Sequence, residues 1–173
     1  LLGEGGRENT ELSRFWTYAS NRPGGEQEPA PYSALMAATQ PMVWQQIMGR
    51  YPFSRHHRML DIGGGSGAFV AAVGAHTTSL EFGLFDLPDV LPLARDRFAG
   101  SVLEPRITLH GGSFRTDPLP RGYDLVTLIR ILHDHDDEVV EALLVCIYES
   151  LPSGGKVLIV EPMAETRGAE GMG

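Results

Sequence analysis

The chain carries a single cysteine, Cys146, so no intrachain disulfide can form. That excludes a disulfide-stapled secreted scaffold and makes the cytoplasm the expected compartment. No stretch reaches the roughly 18 apolar residues that span a bilayer, and no charged-then-apolar leader opens the chain. Basic residues are scarce: 14 Lys and Arg stand against 22 Asp and Glu, a formal charge of −8. Nucleic-acid binding normally demands a basic footprint, so no nucleic-acid partner is expected. An initiator methionine is missing too. The sequence opens on Leu1-Leu2-Gly3 and stops at Gly171-Met172-Gly173, which reads as a piece of a longer protein.

What is there suits one α/β domain with a helical approach. Residues 1–31 are rich in Gly, Glu, Asn and Pro around one aromatic stretch, Phe15-Trp16-Thr17-Tyr18. Such composition favours loops beside short helical pieces. From Tyr32 to Arg50, Leu35, Met42, Val43 and Ile47 recur at helical spacing, with Pro41 set to kink or divide the helix. We take residues 1–51 as a helical segment and linker, and residues 52–173 as the principal domain. There, five apolar runs alternate with helical patterns: Arg58–Ile62, Leu80–Phe85, Arg106–Leu109, Tyr123–Ile129 and Lys156–Val160. One helical stripe is Leu91, Ala94 and Phe98. Another is Val140, Leu143, Leu144, Ile147 and Leu151, with Cys146 read as packing inside its region. Apolar runs alternating with helices predict a doubly wound parallel sheet.

Asp61-Ile62-Gly63-Gly64-Gly65-Ser66-Gly67-Ala68 follows the first strand and opens a helix. Glycines there permit a tight turn and a close ligand approach, and the helix N-terminus adds amide donors. Gly63, Gly65 and Ala68 also satisfy the dinucleotide pattern, so an NAD-dependent oxidoreductase stays open as an alternative. Asp86 ends the second strand at the spacing where a carboxylate takes both hydroxyls of an adenosine ribose. Asp61 would act as a fixed anion before the glycines. It would repel a pyrophosphate but suit a ligand bearing an ammonium and a sulfonium, which favours S-adenosylmethionine.

Leu60-Asp61-Ile62-Gly63-Gly64-Gly65-Ser66-Gly67, Phe85-Asp86-Leu87-Pro88-Asp89-Val90, Ile131-Leu132-His133-Asp134 and Gly154-Gly155-Lys156-Val157 occur in that order. Over about residues 30 to 165 the chain resembles the plant caffeate-type and bacterial small-molecule O-methyltransferases, and within them the bacterial branch of carotenoid hydroxyl methylases. The resemblance implies a class I methyltransferase fold, Rossmann-like, whose sheet is here incomplete at its C-terminal end. It also implies an N-terminal helical region that mediates homodimerisation, and a small, apolar hydroxyl substrate such as a hydroxycarotenoid. Cofactor contacts are implied at Gly63, Gly65, Gly67, Asp86, Leu87, Ser113, Phe114 and Arg130, beside Asp61. One departure stands out: where relatives have Gly-Gly-Asp after the third strand, this chain has Gly111-Gly112-Ser113-Phe114. Phe114 can still cover the purine, whereas Ser113 supplies no carboxylate.

His133 and Asp134 lie just past the fourth strand, at the sheet edge where such folds hold ligands. The resemblance makes His133 the general base, Glu161 its orienting carboxylate and Asp134 an accessory. An imidazole with a pKa near 6.5 is largely neutral at pH 7 and can act as that base. The competing reading is a charged helix start: His133 to Glu138 complements a helix dipole, with Asp136 or Asp137 as the cap and the module non-catalytic. No metal site is expected in this cluster. His56-His57 reads as an exposed basic linker, and His76 and His110 as lone histidines. Met36, Met42, Trp44 and Met48 read as core, with an apolar substrate pocket as the other option.

Overall fold

The computed structural model describes residues 41–161, with side chains from Trp44 onward. Within the described residues helix α1 covers Pro41–Met48. Then follow β1 (Arg58–Ile62), α2 (Ala68–His76), β2 (Glu81–Asp86), α3 (Leu91–Phe98), β3 (Ile107–Gly111), β4 (Leu125–Ile129), α4 (Asp137–Ser150) and β5 (Lys156–Val160). The strands lie in the order β3-β2-β1-β4-β5, every neighbouring pair parallel. The doubly wound α/β expectation holds, with element ends moved by one or two residues. Met36, Leu35 and the aromatic stretch at Phe15 lie outside the described residues, and the side chain of Met42 does too.

Strand side chains alternate between faces, and two apolar layers result. Met59, Phe82, Leu84, Leu125 and Ile129 face α1, α2 and α3, meeting Ile47, Phe69, Val73, Leu91, Ala94 and Phe98. Leu60, Ile62, Phe85, Val126 and Leu128 face the other way, against Leu143 and Ile147 of α4. Trp44 and Met48 border the first layer, which bears out the core reading for both. On the second face Gly83 of β2 lies under Tyr123. A Cβ at Gly83 would come within 2.5 Å of the Tyr123 hydroxyl and 2.8 Å of Leu60. Gly83→Ala therefore overpacks a central strand and should cost about 1–3 kcal/mol, read as a lower midpoint in thermal denaturation.

Because β2 and β3 lie to one side of β1 while β4 and β5 lie to the other, the connection from β3 to β4 crosses the sheet. The crevice beyond the C-terminal ends of β1 and β4 is thus the topological switch point, where this architecture binds ligands.

Candidate active site

The glycine loop fills one wall of that crevice. Gly63, Gly65 and Gly67 all have φ between 57° and 73°, a backbone conformation that residues with a Cβ rarely adopt. The loop also has no room to spare. A Cβ on Gly63 would strike Ile131, and one on Gly67 would sit 2.5 Å from the Phe98 ring. Ile131 belongs to the turn after β4, so the two walls of the crevice touch.

Two carboxylates hold the loop. Asp86 accepts from the Gly65 amide at 2.7 Å through Oδ2 and from the Leu87 amide at 2.7 Å through Oδ1. A carboxylate has about four lone-pair sites, so each oxygen keeps one for a ligand hydroxyl. Burial raises the Asp86 pKa, and the two amide bonds oppose it. Asp61 is buried beneath the loop, with only 2% of its surface exposed. It accepts a 2.6 Å bond from the Thr127 hydroxyl, and its Oδ2 would lie 2.8 Å from a Cβ on Gly64. Burial drives its pKa up to about 7, opposed by Thr127 and assisted by the Asp86 charge. The fixed anion expected at Asp61 is therefore corrected: desolvation leaves it a carboxyl whose charge changes near neutral pH. Among the described residues no cation forms an ion pair with Asp61 or Asp86.

The other wall starts at Arg130, the one non-glycine residue with positive φ among the described residues, at 60°. Its amide still bonds Val160 of β5 at 2.8 Å, after which the chain turns sharply out of the sheet. Left-handed backbone at such a residue costs about 1–3 kcal/mol and persists where surroundings impose it. Here the turn delivers the Ile131 and Leu132 amides to Oε1 of Glu161, at 2.7 and 2.8 Å. Oε2 of the same carboxylate bonds Nδ1 of His133 at 2.6 Å. Although burial pushes the Glu161 pKa up, the bonds from His133, Leu132 and Ile131 bring it below its ordinary value. Asp134 Oδ2 sits 3.0 Å from the other ring nitrogen, Nε2, within ion-pair range but without hydrogen-bond alignment.

His133 thus lies between two carboxylates, and its pKa is raised to about 9 by Asp134 first and Glu161 second, against the effect of burial. This corrects the neutral imidazole expected from the sequence. At pH 7 about one ring in a hundred is neutral when the pKa is about 9.

Ser113 and Phe114 follow β3 on the same sheet edge, both half-buried. The Ser113 amide donates to Asp117 at 2.7 Å, so a carboxylate stands beside Ser113, supplied four residues later. Phe114 meets His135 edge-on at 5.1 Å between ring centres, and Arg115 bonds His135 Nδ1 at 3.1 Å. Thr127, Asp117 and Arg115 are not among the residues the sequence points to, and His135 enters there only as part of the charged run from His133 to Glu138. For Thr127 the one available signal was a lone polar residue within an otherwise apolar strand.

Two other readings change. His56 is no exposed linker residue: its side chain is 12% exposed, stacked on Tyr51 and bonded to the Tyr51 hydroxyl at 2.8 Å. His57, beside it, is open to solvent. Cys146 lies on the exposed flank of α4 instead of in its packing stripe. His110 bonds Tyr123 at 2.7 Å, and His76 bonds the Ala72 carbonyl at 2.9 Å, so both have local structural partners. Asp136 occupies the N-cap position of α4 without a side-chain cap bond.

The family described as an O-methyltransferase domain matches residues 12–172. A demethylspheroidene O-methyltransferase of Cereibacter sphaeroides is 44% identical over 162 residues, covering 92% of this chain and 42% of that protein. The enzyme of the same name from Rhodobacter capsulatus is 41% identical over 156 residues, 89% of this chain and 38% of that protein. Among solved structures, an O-methyltransferase from neocarzinostatin biosynthesis, in complex with S-adenosyl-L-homocysteine and 1,4-dihydroxy-2-naphthoic acid, superposes with a TM-score of 0.78. It is 32% identical, over 83% of this chain and 44% of that one. The chain spans about two-fifths of the length of the curated relatives it matches.

Proposed function

Since this chain belongs to the O-methyltransferase domain family, we propose that it carries the cofactor-binding core and catalytic base of an enzyme methylating a small-molecule hydroxyl from S-adenosylmethionine. The observation that carries this reading is the His133 imidazole, held by Glu161 at 2.6 Å on the sheet edge that also bears the glycine loop.

The donor set fits the cofactor. Two carboxylates without a paired cation favour a ligand that brings its own positive charge, and they oppose a pyrophosphate. Asp86 retains acceptor sites for two ribose hydroxyls, and Gly63 to Gly67 offer a backbone that a ligand can approach closely. Leu87 and Phe114 supply apolar surface for the adenosine, and Ser113 and Arg130 are the remaining cofactor contacts of this reading. When bound, S-adenosylmethionine supplies an activated methyl group on a good leaving group. What remains for the protein is alignment of the acceptor and removal of one proton.

His133 removes that proton through Nε2. Its Nδ1–H donates to Glu161, which fixes the ring orientation and the tautomer and stabilises the imidazolium that forms. Asp134 faces Nε2 and keeps the resting ring protonated, so the acceptor hydroxyl must enter between Nε2 and Asp134 for the base to act. The sign of the pH effect follows. Base activity appears as pH rises through the His133 pKa, near 9. Asp134→Asn removes the largest cause of that elevation. It should move the acid limb of kcat/KM downward by roughly one pH unit or more. A pH–rate profile of both proteins checks this, and an unmoved limb would separate Asp134 from the base.

Residues 1–51 are proposed as part of the helical dimerisation and substrate region, and residues 52–173 as the cofactor domain. The named relatives are demethylspheroidene O-methyltransferases, which supports a hydroxycarotenoid as the acceptor class; a homodimer acting in the cytoplasm is proposed beside it from the family resemblance alone. The direct test is calorimetric titration of the intact protein with S-adenosylhomocysteine beside NAD. Micromolar binding of the first and none of the second is expected; binding of NAD alone would overturn the proposal.

A further inference from the structure

Thr127 is the one polar residue of β4, fully buried at 0% exposure, and stands opposite Asp61 in the β1–β4 register. By strand alternation both lie on the sheet face covered by α1, α2 and α3, which is otherwise apolar. The Thr127 hydroxyl reaches Asp61 Oδ1 at 2.6 Å, with the Leu60 carbonyl more distant at 3.4 Å. Oδ2 of Asp61 lies directly under Gly64. A carboxyl is thus stored beneath the ligand loop, and one hydroxyl bonds it.

We propose that Thr127 is a positioning residue that holds Asp61 in its charged form beneath the glycine loop, and thereby sets the pH below which affinity for a cationic cofactor is lost. The inference rests on the methyltransferase reading above and adds a residue to it. A hydroxyl donor favours the carboxylate over the carboxylic acid, while burial and the neighbouring Asp86 favour the acid. Among the described residues Asp86 is the one charged group acting on Asp61; β4 contributes only Thr127. A cation bound above the loop pulls the balance toward the carboxylate. Binding therefore weakens as pH falls and Asp61 takes up its proton, by roughly tenfold per pH unit below the inflection.

The test uses the intact protein and S-adenosylhomocysteine, whose ammonium is its one cation at neutral pH. Affinity is measured by calorimetry from pH 5.5 to 8.5 for the natural sequence, Thr127→Val and Thr127→Ser. In parallel, the Asp61 carboxyl is titrated by carbon NMR without ligand. The expected inflection lies near 7 in the natural protein. Thr127→Val should move it up by about one unit and weaken binding at pH 7 about fivefold, and Thr127→Ser should restore both. An Asp61 titrating near its ordinary value overturns the proposal. So does an unmoved inflection in Thr127→Val, or a Thr127→Ser protein as altered as the valine one. Should the natural protein bind no S-adenosylhomocysteine at any pH, the methyltransferase reading fails along with the link to affinity. The ligand-free titration reports separately whether Thr127 holds Asp61.

Discussion

Replacing His133 by alanine in the intact protein should lower kcat for methyl transfer by about 10²- to 10⁴-fold, the usual worth of a positioned general base. S-adenosylhomocysteine affinity should stay within about threefold, because His133 is held by Glu161 in the turn after β4, whereas the glycine loop follows β1 and Asp86 ends β2. Glu161→Gln makes a useful companion. It keeps an oxygen for the Ile131 and Leu132 amides but removes the charge facing Nδ1, so kcat falls with little loss of fold. Glu161→Ala leaves two partly buried amides without an acceptor, which costs about 1–3 kcal/mol for each unsatisfied group. The stability of His133→Ala carries its own signature. His133 has a folded pKa raised to about 9. Its stabilising pairing is fully present below about pH 6.5 and is lost as pH rises through 9. The alanine protein should therefore be less stable than the natural one at pH 6 and converge with it at pH 10, as read from denaturant midpoints. A kcat within tenfold of the natural protein would remove His133 as the base and leave the helix-start reading of this cluster.

The sheet was legible because its central strands are buried on both faces. Leu125–Ile129 is buried throughout and reads as an apolar run broken only by Thr127. The Leu91, Ala94 and Phe98 stripe is likewise buried at helical spacing. His133 and Glu161 could be paired from the sequence because each follows directly on a strand, and parallel neighbouring strands end on one edge. The less legible features depend on register or on three-dimensional enclosure. Thr127 and Asp61 are 66 positions apart and meet only because β1 and β4 are adjacent with that alignment. Sequence spacing carries no trace of it. The same holds for the protonation of His133 and Asp61. A residue type supplies the ordinary pKa, while burial and the direction of neighbouring carboxylates supply the shift.

Misreadings elsewhere have local causes. His56 lies in a run of basic residues that resembles a solvated linker, but Tyr51 five positions earlier folds back to stack on it. Cys146 falls beside Leu143 and Ile147 in sequence, yet a helix turns by about 100° per residue, which swings position 146 off the buried stripe. Ser113 itself carries no carboxylate, in keeping with the sequence reading. The turn that follows brings Asp117 back to its amide, a contact set by loop geometry.

Asp86→Ala should abolish cofactor binding in practical terms, with S-adenosylhomocysteine affinity falling by about 10²- to 10⁴-fold. Two ligand hydroxyls bonded to a carboxylate contribute about 1.5–3 kcal/mol each, and each 1.4 kcal/mol is tenfold in affinity. A second loss adds to the first, because Asp86 also accepts from the Gly65 and Leu87 amides and holds the loop in its left-handed form. Asn is no adequate substitute: one of its two positions becomes a donor and confronts an amide that also donates. Thermal denaturation should show a separate loss, about 1–3 kcal/mol for each of the two amides left without an acceptor. Loss of binding beside a preserved fold therefore marks Asp86 as a ligand contact. Removing its charge also relieves Asp61, whose pKa Asp86 raises, so the Asp61 titration should move down in the same variant. If affinity holds within threefold while Asp61 shifts as described, Asp86 serves the loop alone and the ribose must be held elsewhere.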